Sequence, residues 1–248
     1  KVIYIFICNI LALGVMLLLL LPEFLSIKLS FDSKLWKKMM LFGIPLMIGG
    51  FAGIANELLD RQFLKYLLPE DIALAQVGIY GAVYKLSIFL VLFNQAFRYA
   101  AEPFFFSTQK EDNAKETYAI VLRYFVFVMV IGLVFIWAYI DIFKHFIDEK
   151  FWQGLDIVPI LLLANLLLGI NFNLNIWYKL KNMTRMGAYI TFVGLFFTVV
   201  FNLILVPKFS YYGAAWATLI SYTAMTAYSY YLNQKIHIPA ITIDYHDI

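Results

Sequence analysis

The 248-residue sequence predicts an all-α fold: a polytopic membrane helix bundle of about seven transmembrane helices. Three observations predict it. Apolar residues come in blocks long enough to cross a ~30 Å hydrocarbon core, which takes about 20 residues of helix. The composition is 63% hydrophobic and only 14% charged, with a mean hydropathy of +0.80, whereas soluble domains carry about 25% charged residues. Finally, the Lys and Arg residues alternate in density from one connecting loop to the next, as the positive-inside rule requires.

The spans are expected at residues 2–22, 38–59, 76–101, 117–140, 155–178, 186–206 and 212–232, with a polar tail after Asn233. Helices rather than strands are expected, because the run Ile157-Val158-Pro159-Ile160-Leu161-Leu162-Leu163-Ala164 is apolar on every face, and a helix satisfies its own backbone groups in lipid. The first span is apolar except for Asn9. It holds Cys8, the single cysteine, expected as a small buried apolar side chain, so neither a disulfide framework nor a thiolate metal site is expected. The chain opens with Lys1, and its first block lacks the short apolar core and small-residue cleavage site of a secretory signal, so it is expected to be part of a longer protein.

In the second span Pro45 precedes Gly49, Gly50 and Gly53. Gly49 and Gly53 form a GxxxG pair for close helix approach, and Pro45 removes a backbone hydrogen bond, so the three residues are read either as packing or as a hinge that bends in transport. At the outer end of that span lie Glu57, Asp60 and Arg61. Glu57 and Arg61 are spaced i,i+4 and can pair on one face. The alternative is that Asp60 or Glu57 binds a coupling proton or sodium ion while Arg61 contacts an anionic substrate. In the third span Lys85 sits about nine residues in, near mid-membrane at ~1.5 Å per residue. A charge there costs at least ~2.5 kcal/mol, so Lys85 should face a watery cavity or a carboxylate.

Tyr80 and Tyr84 lie beside Lys85 at helical spacing, where aromatic rings could stack on sugars. Arg98 and Glu102, just before Pro103, are expected to anchor the inner interface. The fifth span is unusually polar, with Asn165, Asn171, Asn173 and Asn175. Asn171 and Asn175 share a face and either line a path or bond to a neighbouring helix. Gly187 with Gly194, and Gly213 with Ala214, Ala215 and Ala217, mark further close helix contacts.

Charge sets topology rather than partner. The formal net charge is only +3 and is spread among loops, so no nucleic-acid surface is expected. Lys28, Lys34, Lys37, Lys38, Arg98, Lys110, Lys115, Arg123, Lys179, Lys181, Arg185 and Lys235 fall on one side; Lys1, Arg61, Lys65, Lys144, Lys150 and Lys208 fall on the other. The richer side should be cytoplasmic, which places the C-terminus inside the cell. No catalytic signature stands out. His145, His237 and His246 are isolated, there is neither HExxH nor GxSxG nor a Gly-rich phosphate loop, and Glu111-Asp112 and Asp148-Glu149 read as solvated loop charges. No enzyme activity, metal site or cofactor is expected.

Several motifs in order resemble the bacterial polysaccharide (O-antigen, Wzx-type) flippases of the multidrug/oligosaccharidyl-lipid/polysaccharide exporter superfamily. They are Phe42-Gly43-Ile44-Pro45-Leu46, Leu59-Asp60-Arg61-Gln62-Phe63-Leu64, Val77-Gly78-Ile79-Tyr80 leading to Tyr84-Lys85-Leu86, Ala101-Glu102-Pro103-Phe104-Phe105-Phe106, Asn175-Ile176-Trp177-Tyr178-Lys179-Leu180, and Pro207-Lys208-Phe209 with Gly213-Ala214-Ala215-Trp216-Ala217-Thr218. The resemblance covers nearly the whole chain. It implies a MATE-like exporter of two six-helix lobes, in which residues 1–37 are the sixth helix and a cytoplasmic linker of an N-terminal lobe and residues 38–248 are the C-terminal six-helix lobe with a short tail.

The implied substrate is a polyprenyl-pyrophosphate-linked oligosaccharide, moved across the bacterial inner membrane by alternating access for O-antigen and lipopolysaccharide synthesis. Lys85 and Arg61 are the positions carried over to a cationic cavity. The implied partners are this lipid-linked substrate, membrane lipids, a coupling proton or sodium, and other polysaccharide-assembly membrane proteins. The competing readings are an ion-coupled exporter of drugs or of another lipid-linked precursor, and a membrane glycan polymerase or ligase. The outer loops are short for the last of these.

Overall fold

The computed structural model describes residues 2–26, 31–109, 111 and 113–235, and its ordered elements are helical throughout. The chain divides into two units, 1–41 and 42–248. Helix α1 (Val2–Ser26) lies in the first; α2 (Ser33–Leu67) begins there and continues into the second. Every α1 residue from Ile3 onward is exposed. Cys8 is therefore exposed, against the expectation of burial, because nothing within its own unit packs on α1.

The second unit continues with α3 (Glu70–Tyr84), a 3-10 turn at Lys85–Ser87, α4 (Ile88–Thr108), α5 (Ala114–Ala138), the short α6 (Ile140–Phe143), α7 (Val158–Leu180), α8 (Thr184–Phe209) and α9 (Tyr211–Lys235). The expected third span is one helical run from Glu70 to Thr108, broken only at that turn, where the Ser87 hydroxyl donates to the Tyr84 carbonyl at 2.7 Å. Among the described residues six helical segments are long and apolar enough to cross a membrane. The seventh expected span coincides with α9, which has the length but whose Ser, Thr and Tyr content keeps it below that apolarity. Its polar side chains are accommodated because α9 is an inner helix: Ala214, Ala215, Ala217 and Ser221 are fully buried.

Lipid is as apolar as leucine, so such a bundle is held by close packing and interhelical hydrogen bonds rather than by hydrophobic expulsion. Small residues supply the packing. A Cβ on Gly213 would run into the Leu205 carbonyl, one on Gly194 into the Met225 side chain, and one on Gly154 would stand 2.5 Å from Ile79 Cγ2. Gly49 lets α2 approach α8, a Cβ there lying 3.2 Å from Ala188 Cα, and Gly53 does so more loosely against Thr191. Gly187 differs from expectation. Its nearest neighbour would be Asn175 Oδ1 at 3.9 Å, an ordinary contact that any small residue could make.

Two buried apolar clusters result, one around Leu64, Val83, Leu161 and Val206, the other around Tyr118, Trp177, Ile190 and Tyr222. Pro45 sits half-buried inside α2. Tight turns join α7 to α8 and α8 to α9, where Asn182 and Ser210 take positive φ values of 57° and 52°. The expectations placed on Lys1, Lys28, Lys110, Asp112, His237, His246 and the tail beyond Lys235 lie outside the described residues, as do the side chains of Lys115 and Lys235.

Candidate functional site

Along α2, Asn56 and Asp60 are one helical turn apart and both point inward, at 3% and 2% exposure. Opposite them on α8, Thr198 and Asn202 repeat the same spacing and are equally buried. The two helices run parallel in constant register. Thr184 donates to the Phe42 carbonyl, Thr198 to Asn56 Oδ1 and Asn202 to Asp60 Oδ1, each pair 142 residues apart in sequence.

Asp60 is the centre of this ladder. Its Oδ1 accepts from Asn202 Nδ2 at 2.8 Å; its Oδ2 accepts from the Tyr80 hydroxyl at 2.8 Å and from Thr218 Oγ1 at 2.6 Å. Four helices, α2, α3, α8 and α9, thus meet on one carboxylate. Two further oxygens belong to the cluster: Thr218 Oγ1 lies 3.0 Å from the Ala214 carbonyl, and Asn202 Oδ1 is buried without a partner among the described residues. One turn inward, Asn56 is held by Thr198 and Ser221, and its Nδ2 lies 3.5 Å from Met225 Sδ.

No Lys, Arg or His within the described residues forms an ion pair with Asp60. A buried carboxylate held only by neutral donors in a membrane segment is a functional candidate, since its charge stays costly until a proton or cation joins it. The donors are neutral amide and hydroxyl groups. The same set, with the Ala214 carbonyl and the unpartnered Asn202 oxygen, matches the oxygen ligation a small hard cation prefers.

The remaining predicted residues separate. Glu57 is exposed on α2 and forms no ion pair with Arg61, so the expected i,i+4 bridge is absent. Arg61 instead lays its guanidinium 5.3 Å from the centroid of the Tyr84 ring, a cation–π contact that holds the side chain away from Glu57. Tyr80 is not a sugar platform. It is 1% exposed, its hydroxyl is spent on Asp60, and its ring centroid is 6.1 Å from that of Tyr84, which is itself half-buried.

Lys85 is exposed on the 3-10 turn, and no carboxylate forms an ion pair with it among the described residues. Asn171 is 1% exposed and Asn175 is half-buried; the Oδ1 of each lacks a hydrogen-bond partner among the described residues. Glu102 does more than anchor: it pairs with Lys179 across α4 and α7.

Sequence reasoning named Asp60 and Glu57 as alternatives and missed both the Asp60 partners Asn202 and Thr218 and the neighbouring Asn56–Thr198–Ser221 cluster. The signal was present. Polar residues recur at i,i+4 inside apolar blocks on α2 and again on α8, which is the pattern of a shared polar face.

The fold is similar to about half of each of two solved membrane-transporter structures. An outward-facing multidrug resistance MATE family transporter of the MOP superfamily aligns with TM-score 0.67 at 19% identity, over 83% of this chain and 46% of its own. A MOP superfamily transporter from Pyrococcus furiosus Vc1 (DSM3638), described as having a binding pocket of reversed polarity suggestive of a different function, aligns with TM-score 0.64 at 20% identity, over 79% of this chain and 44% of its own. The chain therefore spans a little under half the length of either. No protein-family model matches it, and no curated protein does.

Proposed function

We propose that this chain is a transport lobe of a membrane flippase that carries a polyprenyl-pyrophosphate-linked oligosaccharide across the bacterial inner membrane by alternating access. The observation that carries the reading is the buried Asp60 carboxylate, gripped by side chains of α3, α8 and α9 with no cation paired to it. Asp60 binds the coupling proton or sodium ion, and binding changes how the four helices are tied together. Lys85, exposed and unpaired by any carboxylate, offers the positive charge that a pyrophosphate needs in place of its hydration shell. Arg61, the residue next to Asp60 in sequence, adds a second charge. Pro45, Gly49 and Gly53 allow α2 to bend or slide on α8. Catalysis has no part in this scheme.

The test is flipping of a fluorescent polyprenyl-diphosphate oligosaccharide in proteoliposomes containing the full-length protein, under imposed proton and sodium gradients. Wild-type flipping that responds to one gradient, loses that response in Asp60→Asn and falls sharply in Lys85→Ala supports the reading. Gradient-dependent flipping that survives both substitutions would sink it. Export of cationic drugs is the second reading, favoured by the multidrug resistance transporter among the similar structures and by the exposed Glu57 carboxylate. Dye efflux by the same proteoliposomes, abolished in Glu57→Gln and unaffected in Lys85→Ala, would favour it instead.

A further inference from the structure

Between the N-terminal half of α2 and the C-terminal half of α4 lies an open groove of about 450 Å³, lined by Phe42, Leu46, Tyr99, Pro103 and Phe106 with the Glu102–Lys179 ion pair among them. It stands at the end of the unit opposite Asp60 along α2. A volume of this size is within the range of small-ligand sites, about 300–1,000 Å³. The aromatic wall is accessible, with Tyr99 67% and Phe106 39% exposed. So is the ion pair: the Glu102 and Lys179 side chains are 28% and 26% exposed.

The charges do not balance. Arg98 stands one helical turn from Glu102 on α4, with its guanidinium 5.4 Å from the centroid of the Phe172 ring, and both side chains line a second, water-sized cavity of about 20 Å³ beside the groove. Among the described residues the Arg98 Nε is buried without a hydrogen-bond partner, and so are the Asn94 and Asn173 Oδ1 atoms, whose side chains line the same cavity. Glu102 is ion-paired with Lys179 and not with Arg98 among the described residues, so the Arg98 charge is in surplus beside an open aromatic cleft. Carboxylate and aromatic faces suit a sugar ring; a displaceable ammonium suits its phosphate.

We propose that this groove binds the phosphorylated sugar end of the substrate, with Lys179 leaving Glu102 for the phosphate, Arg98 taking over Glu102, and Tyr99 and Phe106 stacking on the sugar. The proposal rests on the flippase reading for its substrate, but the groove can be tested without transport. Calorimetric titration of the full-length protein in detergent would use glucose 1-phosphate, inorganic phosphate and glucose as probes. Glucose 1-phosphate should bind; Lys179→Met should weaken it about tenfold, equivalent to ~1.4 kcal/mol, and Lys179→Arg should restore most of the loss.

Glu102→Gln should tighten binding, because it frees Lys179 without removing a charge the phosphate uses. Tyr99→Ala should weaken glucose 1-phosphate and leave inorganic phosphate unchanged. A purely structural ion pair predicts the opposite sign for Glu102→Gln, so binding weakened equally by Glu102→Gln and Lys179→Met, or unaffected by Lys179→Met, overturns the proposal. The melting temperature of each variant separates loss of fold from loss of ligand. The two readings also fail separately: flipping intact in Lys179→Met strikes only the groove, whereas groove binding without wild-type flipping strikes only the proposed function.

Discussion

Asn202 donates its amide to Asp60 Oδ1 at 2.8 Å, and the two residues stand at the same 142-residue offset that relates Thr198 to Asn56 and Thr184 to Phe42. Helices α2 and α8 are thus pinned as a parallel pair by polar bonds at three levels. One of these levels ends on the buried Asp60 carboxylate.

Asn202→Leu should cost stability, because it removes a donor from a buried carboxylate, and by about 0.6–1.7 kcal/mol, the span found for hydrogen bonds between membrane helices. Asp60→Asn should cost less, since its amide can still accept from Tyr80 and Thr218. Thermal unfolding of the two variants in the same detergent checks the order. A larger loss for Asp60→Asn would contradict the geometry.

Gly213 and Gly50 mark the two extremes of what an added side chain would meet. A Cβ at Gly213 would collide with the Leu205 carbonyl and stand 2.8 Å from Val206 N, and backbone cannot turn aside as a side chain can. Gly213→Ala should therefore destabilise by about 1–3 kcal/mol. Gly50 has nothing within 4 Å, so Gly50→Ala should be neutral or stabilising by up to ~1 kcal/mol, the helix-propensity gain. Denaturation midpoints of the pair decide the matter.

Ser210 closes α8 at φ 52° and ψ −130°, a conformation that costs a non-glycine residue about 1–3 kcal/mol. Its hydroxyl offsets part of this by donating to Gln76 Oε1 at 2.7 Å. Ser210→Ala loses the bond and keeps the strain, whereas Ser210→Gly loses the bond and relieves the strain. The glycine variant should melt above the alanine variant, and the reverse order would show that the turn is unstrained.

Asp148 lies outside the spans and caps the 3-10 segment Glu149–Ile157, accepting from the Lys150 amide at 3.2 Å. That backbone bond, with the Lys150 ammonium, holds its carboxyl below the usual range. A depressed folded-state value means the stabilisation is present above the unfolded-state value and is lost as pH falls through the folded one. Acidification below about pH 4 should loosen this segment, seen as faster proteolysis near Trp152 by an acid-active protease, and Asp148→Asn should remove the pH dependence.

The spans were legible because the demand of lipid is local. A block such as residues 2–22 must satisfy its own backbone, so length and apolarity alone predict a helix there. The carboxylates Glu57 and Asp60 at the end of such a block drew notice together, and the sequence offered nothing to choose between them. The roles of their neighbours were not legible. Tyr80 reads from sequence as an aromatic face and Glu57 as the partner of Arg61, yet one is buried as a donor to Asp60 and the other is exposed without that partner.

The helical nature and approximate placement of the apolar segments came from the sequence alone, since these follow from 3.6-residue geometry and the absence of water in the bilayer. Which side chains share a site was decided only by tertiary structure. Asp60, Tyr80, Asn202 and Thr218 come from four helices up to 158 residues apart. Their meeting depends on how closely Gly49, Gly194 and Gly213 let α2, α8 and α9 approach, a packing outcome that helical periodicity leaves open.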